Sequence, residues 1–177
     1  MKTWLYLLAF GLLPLLALAA APLTPPTIIY LVRHGEKDLT PGVADPLLTT
    51  AGEARAQALA DRLTREHPAA LFTTDTRRTR ATLGPLAQAT HLTPLVYSAK
   101  EPAALATRID QEYAGQTVVV VGHSNTLLPL LAALGVRETV AELKDDEYSY
   151  LYKVTLRDGK PAKLEVSHYG KHLEAKM

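Results

Sequence analysis

The sequence predicts an α/β fold: a three-layer α/β/α sandwich with a mainly parallel central sheet and a C-terminal β-hairpin. Short apolar runs alternate along most of the chain with helix-forming segments, which is typical of a parallel sheet covered by helices on both faces. The clearest such run is QTVVVV at 116–121. Towards the end, two segments of alternating polarity flank Asp158-Gly159, a common turn pair, and they predict the hairpin.

The first half of the chain predicts two strand–helix pairs. β-branched apolar residues at 27–32 favour a buried strand, and a loop containing Pro and Gly follows at 35–48. Thr49 is a typical helix N-cap, because the helix-forming segment AGEARAQALADRLTRE comes directly after it. We expect Gly84-Pro85 to interrupt the second helix. The expected strands are 27–32 and 69–73, and the expected helices are 51–66 and 78–90.

The second half predicts two more strand–helix pairs before the hairpin. Pro102 suits the first turn of a helix, where its missing N–H is not needed. Gly135 suits the end of the following helix, because glycine readily takes the left-handed conformation common there. The expected strands are 92–97 and 116–121, the expected helices are 102–113 and 124–134, and the expected hairpin strands are 148–157 and 163–169.

The first twenty residues have the features of an export signal. Lys2 precedes an apolar run, and Ala17-Leu18-Ala19 matches an A-x-A cleavage pattern. The alternative is an uncleaved membrane anchor, although Gly11 and Pro14 interrupt the run. A signal peptide is the favoured interpretation, and we therefore expect a periplasmic or secreted protein. The expected organisation is a signal peptide at 1–19 with cleavage near Ala19/Ala20, a Pro-rich leader at 20–26, and one domain at 27–177.

The composition excludes several classes of protein. Hydrophobic residues make up 47% of the chain and charged residues 21%, which supports a packed core and argues against disorder. The formal net charge is +1, so the chain lacks the basic excess of a nucleic-acid-binding protein. No cysteine is present to form a disulfide framework. We expect no nucleic-acid partner, no stable protein partner, and membrane contact only through a retained N-terminal segment.

Basic side chains follow three of the predicted strands. Arg33 and His34 end the first strand, Arg78 begins the helix after the second, and His123 follows the QTVVVV strand. In open α/β sheets the carboxyl ends of the strands meet at one edge, where binding sites form. The sequence therefore predicts a site built from two histidines and at least two arginines.

These residue types favour phosphoryl chemistry. A guanidinium binds phosphate oxygens with two parallel hydrogen bonds and stays charged. A neutral imidazole is a competent nucleophile towards phosphorus, and fixed positive donors stabilise the transferring group. A metal site is disfavoured, because His34 and His123 are expected beside arginines that repel a cation. We therefore expect no metal and no organic cofactor.

The motifs LVRHGEK, LTTAGEARAQAL, TTDTRRTRAT and VVVVGHSNT resemble the histidine phosphatase superfamily, in its phosphoglycerate-mutase-like branch of small phosphatases. The resemblance covers about 28–135, and the absence of a His-Asp dipeptide argues against the acid-phosphatase branch. It implies that His34 is the nucleophile, and that Arg33, Arg78 and His123 bind the phosphoryl group. Glu101 is the nearest match to the proton donor of mutase-like members.

The favoured function is therefore an exported phosphatase that hydrolyses a small phosphomonoester through a phosphohistidine intermediate on His34. One alternative is a non-catalytic phospholigand-binding module with the same pocket. Another is a phosphohistidine or phosphoprotein phosphatase.

The sequence predicts structural roles for most of the other charged residues. Arg77 and Arg80 are expected to be solvated or at the rim, and Arg55 is expected to be an exposed helix residue. For Glu36, orientation of the site and simple solvent exposure stay open. The segment 145–147, Asp-Asp-Glu, is expected to be a solvated turn, with an acidic rim of the pocket as the alternative.

Overall fold

A computed structural model describes residues 24–170 of the chain, so the expected signal peptide lies outside the described residues. The elements are β1 Thr27–Arg33, α1 Thr50–Leu63, a 3-10 turn Thr64–Glu66, β2 Ala70–Thr73, α2 Arg77–Thr90, β3 Leu95–Val96, α3 Pro102–Glu112, β4 Thr117–Gly122, α4 Ser124–Ala133, β5 Tyr150–Leu156 and β6 Lys163–His168. No helix within 24–170 is long and apolar enough to cross a membrane.

The six strands form one sheet in the order β3-β2-β4-β1-β5-β6. β1, β2, β3 and β4 pair in parallel, and β5 pairs antiparallel with both β1 and β6. The predicted α/β fold with its mainly parallel sheet and C-terminal hairpin is thus confirmed. Because β1 and β4 are neighbours at the centre, their carboxyl ends bring Arg33 and Gly122 directly opposite each other.

Helices cover both faces of the sheet. Alternate residues of the central strands point to opposite sides, so Leu31 and Val120 belong to one hydrophobic cluster while Val32 and Val121 belong to the other. The first cluster contains core residues of α3 and α4, and the second contains core residues of α1 and α2. This is the three-layer α/β/α arrangement.

The expected break in the second helix is wrong. α2 continues through Pro85 to Thr90, although proline removes one backbone donor. Leu83 and Leu86, on either side of Pro85, are fully buried in the second cluster. Because tertiary packing supplies most helix stability in proteins, their burial outweighs the loss of one hydrogen bond. The third strand is also shorter than expected, since only Leu95 and Val96 pair with β2.

Candidate active site

His34 lies at the carboxyl end of β1 with its side chain buried against the sheet. Its backbone N–H donates to the Gly122 carbonyl oxygen at 3.0 Å, which continues the β1–β4 pairing by one residue. Its Nδ1 lies 2.7 Å from the carbonyl oxygen of Gly35. A carbonyl only accepts, so Nδ1 carries the proton and donates it. In the neutral ring, Nε2 therefore keeps its lone pair.

The surroundings keep His34 neutral. Burial lowers its pKa to about 3, and the positive charges of Arg33 and Arg78 act in the same direction, against the opposing bond to Gly35. At physiological pH the ring is unprotonated at Nε2. This is the state that a nucleophilic imidazole requires.

His123 follows β4 and faces His34, with the two ring centroids 5.3 Å apart. Its Nδ1 lies 3.4 Å from Nη2 of Arg78, which only donates, and its Nε2 lies 2.8 Å from the hydroxyl of Thr74. This assigns the proton of the neutral ring to Nε2. Burial, followed by the charges of Arg78 and Arg33, lowers its pKa to about 4.

Arg33 is held by the loop that precedes β5. Its Nη1 donates to the carbonyl oxygens of Lys144 and Glu147 at 2.7 and 3.2 Å, and its guanidinium lies 4.1 Å from the ring centre of Tyr148. Its Nε is buried and has no hydrogen-bond partner within 24–170. The loop thus fixes one end of the guanidinium and leaves a donor uncommitted.

Arg78 reaches the same site from the first turn of α2. Its Nη1 pairs with Asp45 at 3.2 Å, and its buried Nε lacks a hydrogen-bond partner in the described part of the chain. Arg77 and Arg80 behave differently, because Arg77 is exposed and Arg80 pairs at the surface with Asp75. Only Arg78 of these three arginines lines the cavity.

The site opens into a cavity of about 550 Å³ at the carboxyl edge of the sheet. Four lining residues are Arg or Lys, and one is Asp. The N-terminus of α4 adds the positive end of a helix dipole. This charge suits an anionic group. The lining residues are Arg33, His34, Lys37, Arg78, Ala99, Lys100, His123, Ser124, Asn125, Thr126 and Asp145.

The segment that follows His34 is in close backbone contact with the start of α1. A Cβ on Gly35 would lie 2.8 Å from the carbonyl oxygen of Gly52, and one on Gly52 would overlap with the Glu36 carbonyl oxygen. The Gly35 N–H also donates to the Thr82 hydroxyl of α2 at 2.9 Å. The glycines in both motifs are therefore required by packing.

The expectation that Arg55 is an exposed helix residue is wrong. Its side chain is 5% exposed and forms a two-bond ion pair with Glu36, at 2.9 and 2.7 Å. Arg55 also donates to the Tyr169 carbonyl oxygen at 3.0 Å. Its place on α1, facing the segment after His34, gives it a buried partner that helix periodicity alone does not reveal. This ion pair connects the segment after His34 to α1, so Glu36 does not simply face solvent.

The structure brings Arg33, His34, Arg78 and His123 together, but it leaves Glu101 outside the lining. Glu101 is exposed and occupies the N-cap position of α3. Sequence reasoning covered Asp145 only by the acidic-rim alternative, and it assigned no role to several other residues of the site. Thr74 could have been found from its position directly after β2. The residues without an assigned role are Lys37, Asp45, Thr74, Lys100 and Tyr148.

The donor groups of the site do not suit a metal ion. Within 24–170, no group of three or more His, Asp or Glu side chains is placed to hold a metal ion. The two histidines lie beside two guanidinium groups, whose charge opposes a bound cation.

A family profile described as histidine phosphatase superfamily (branch 1) matches residues 29–101. Residues 29–101 of the chain are therefore similar to the histidine phosphatase superfamily. The matched segment contains Arg33, His34 and Arg78, and the resemblance predicted from the motifs is confirmed. None of the curated proteins matches this chain significantly.

Solved structures show the same fold. The protein histidine phosphatase SixA complexed with tungstate aligns with a TM-score of 0.66 and 19% identity, over 80% of this chain and 96% of SixA. A mycobacterial glucosyl-3-phosphoglycerate phosphatase aligns with a TM-score of 0.66 and 16% identity, over 81% of this chain and 98% of its own. At these identities the likeness concerns the fold.

Proposed function

We propose that this protein is a phosphatase that hydrolyses phosphomonoesters through a phosphohistidine intermediate on His34. One observation carries the proposal. The Nδ1–H of His34 is committed to the Gly35 carbonyl, so the Nε2 lone pair is available in a cavity that also presents Arg33 and Arg78. A neutral nucleophile next to two fixed cations is what phosphoryl transfer requires.

The reaction has two steps. The phosphoryl group binds between the two arginines, Nε2 of His34 attacks phosphorus, and the bond to the leaving oxygen breaks. Water then attacks the phosphohistidine, the P–N bond breaks, and the electron pair returns to Nε2. His123 is held by Thr74 and Arg78, and its ring centre lies 5.3 Å from that of His34 in the same cavity.

The charges needed by the transition state come from the chain itself. Arg33 and Arg78 both line the cavity, and their guanidinium groups can donate to the oxygens of a phosphoryl group bound there. The dipole of α4 acts at the same place. We therefore expect activity to survive treatment with a metal chelator.

The substrate is proposed to be small and the protein to act outside the cytoplasm. The cavity of about 550 Å³ leaves room beyond a phosphate for a leaving group of sugar size. The amino-terminal sequence favours export, so phosphorylated sugars or envelope glycans suit a periplasmic or secreted enzyme. Neither a nucleic-acid partner nor a stable protein partner is proposed.

The decisive experiment compares the protein of residues 20–177 with two histidine variants on an aryl phosphate. His34→Ala is expected to lower kcat/KM by about a thousandfold or more, because the nucleophile is lost. His67→Asn is the control, since His67 is exposed with a φ of 47°, a conformation that asparagine tolerates. The wild type and His67→Asn should acquire acid-labile phosphate, and His34→Ala should not. Near-normal activity of His34→Ala contradicts the mechanism.

Two alternative functions can be distinguished with the same purified protein. A non-catalytic phospholigand-binding module binds tungstate but releases no phenol from the aryl phosphate. A phosphohistidine or phosphoprotein phosphatase prefers phosphorylated protein over phosphorylated sugars. A panel of phosphomonoesters that includes both kinds of substrate therefore decides between them.

A further inference from the structure

We propose that Asp145 is the acid that protonates the leaving-group oxygen, an inference that rests on the phosphatase function proposed above. Of the residues in the described structure that line the cavity, Asp145 alone has a carboxyl group. Transfer of a phosphoryl group from an alcohol needs a proton for the departing oxygen, and a carboxylic acid within reach is well suited to supply it.

The turn that carries Asp145 is fixed relative to the phosphate-binding residues. The Glu147 N–H donates to the Lys144 carbonyl oxygen at 3.1 Å, and the Lys144 N–H donates to the Glu147 carboxylate at 2.8 Å. Arg33 binds the carbonyl oxygens of both residues. Asp145 is thus the second residue of a turn whose two ends are held by a phosphate ligand.

Tyr148 adds a second contact between this turn and the site. Its ring lies against the guanidinium of Arg33 at 4.1 Å and 6.1 Å from the ring of His34. The 144–148 segment therefore borders the cavity, and Asp145 is the residue of this segment that lines it. The acidic-rim alternative describes it better than a detached solvated turn, and Asp145 is the acidic residue that faces the cavity.

The other nearby acids and histidines are less suited to this role. Glu101 lies outside the lining. Asp45 accepts bonds from the Arg77 N–H and from Arg78, so its oxygens position that arginine. Both ring nitrogens of His123 are already engaged, with Thr74 and with Arg78.

Asp145 gives up one proton in the first step and regains one in the second. As Nε2 of His34 forms its bond to phosphorus, the P–O bond to the leaving group breaks and that oxygen takes the proton of Asp145. In the second step the Asp145 carboxylate accepts a proton from the attacking water. The P–N bond then breaks, and orthophosphate, free His34 and protonated Asp145 are restored.

The test measures how kcat/KM depends on leaving-group basicity in a series of aryl phosphates with progressively more basic phenols. The wild type should show little dependence. Asp145→Asn should lose about a hundredfold or more on the most basic phenol and less than about threefold on 4-nitrophenyl phosphate. Asp146→Asn is the matched control, since it is the adjacent residue of the same turn but does not line the cavity, and it should behave like the wild type.

The ratio between two substrates is independent of the fraction of folded enzyme, so a folding defect does not imitate this result. Equal losses across the series, or none, overturn the role of Asp145, as does a steep dependence in Glu101→Gln instead. A wild type that hydrolyses no member of the series contradicts the proposed function itself. That outcome is distinct from every result that concerns Asp145 alone.

Discussion

At the residue scale, the site depends on imidazoles that burial keeps neutral, and this has a consequence for stability. The pKa of His34 is lowered from its ordinary 6.5 to about 3, mainly by burial. Between these values the unfolded chain binds a proton at His34 that the folded chain does not bind. The free energy of unfolding therefore decreases as the pH falls through this window, and the penalty is absent above it.

Replacing His34 should remove that acid penalty. In His34→Gln, the decrease in Tm between pH 7 and pH 4.5 is expected to be smaller than in the wild type, whatever the absolute Tm of the variant. Thermal unfolding followed by circular dichroism at both pH values measures the difference. If both proteins lose the same amount, His34 is not held neutral by the fold.

A second prediction separates the three arginines at the start of α2. Arg78→Ala should lower kcat/KM for an aryl phosphate by roughly a hundredfold or more, because a charged contact to the transferring group is lost. Arg77→Ala and Arg80→Ala should each cost less than about tenfold, since neither lines the cavity. Kinetics of the three variants, measured side by side, decide the assignment. A larger loss from Arg77→Ala or Arg80→Ala would contradict it.

The sequence predicted the positions of site residues mainly where these residues directly follow a strand. Arg33, His34 and His123 follow apolar strands, and the carboxyl ends of parallel strands meet at one edge. The Arg33–Lys144 contact joins residues 111 positions apart through an irregular loop, and no local pattern encodes it. Tyr148 escaped prediction for the same reason, and Asp145 was covered only by the alternative of an acidic pocket rim at 145–147.

At the element scale, α1 packs against the segment directly after His34. Gly35 and Gly52 allow the two backbones to approach closely, and the Glu36–Arg55 ion pair joins the same two segments. Local signals predicted the helix start correctly, since the Thr49 hydroxyl accepts from the Gly52 N–H at 3.2 Å. They did not predict the ion pair, because it forms only after the helix packs.

The ion pair gives a stability prediction. The Arg55 and Glu36 side chains are 5% and 13% exposed, so Arg55→Ala leaves a buried carboxylate without its partner and should cost about 3–5 kcal/mol. Arg62→Ala on the same helix breaks the exposed Arg62–Glu66 pair and should cost less than about 1 kcal/mol. Urea unfolding of both variants measures the difference. Similar losses would show that the buried pair has no special role.

At the scale of the whole molecule, the cavity joins segments that are distant in the sequence. β1 supplies Arg33, α2 supplies Arg78, the end of β4 supplies His123, and the loop before β5 supplies the carbonyls that hold Arg33. A ligand in this cavity contacts residues from several elements that are distant in the sequence. Its binding free energy should therefore appear as stability of the entire domain and not of one element.

Tungstate, which mimics the transferring phosphoryl group, provides the last test. Binding at a hundred times its dissociation constant adds about 2.7 kcal/mol to the free energy of unfolding, which corresponds to a rise in Tm of roughly 5–10 °C for a domain of this size. The rise should persist in the presence of a chelator and in Arg80→Ala, and it should be lost in Arg78→Ala, because Arg80 is outside the cavity and Arg78 lines it. A rise that requires a divalent ion, or one that Arg78→Ala retains in full, contradicts an anion site made by the chain's own arginines.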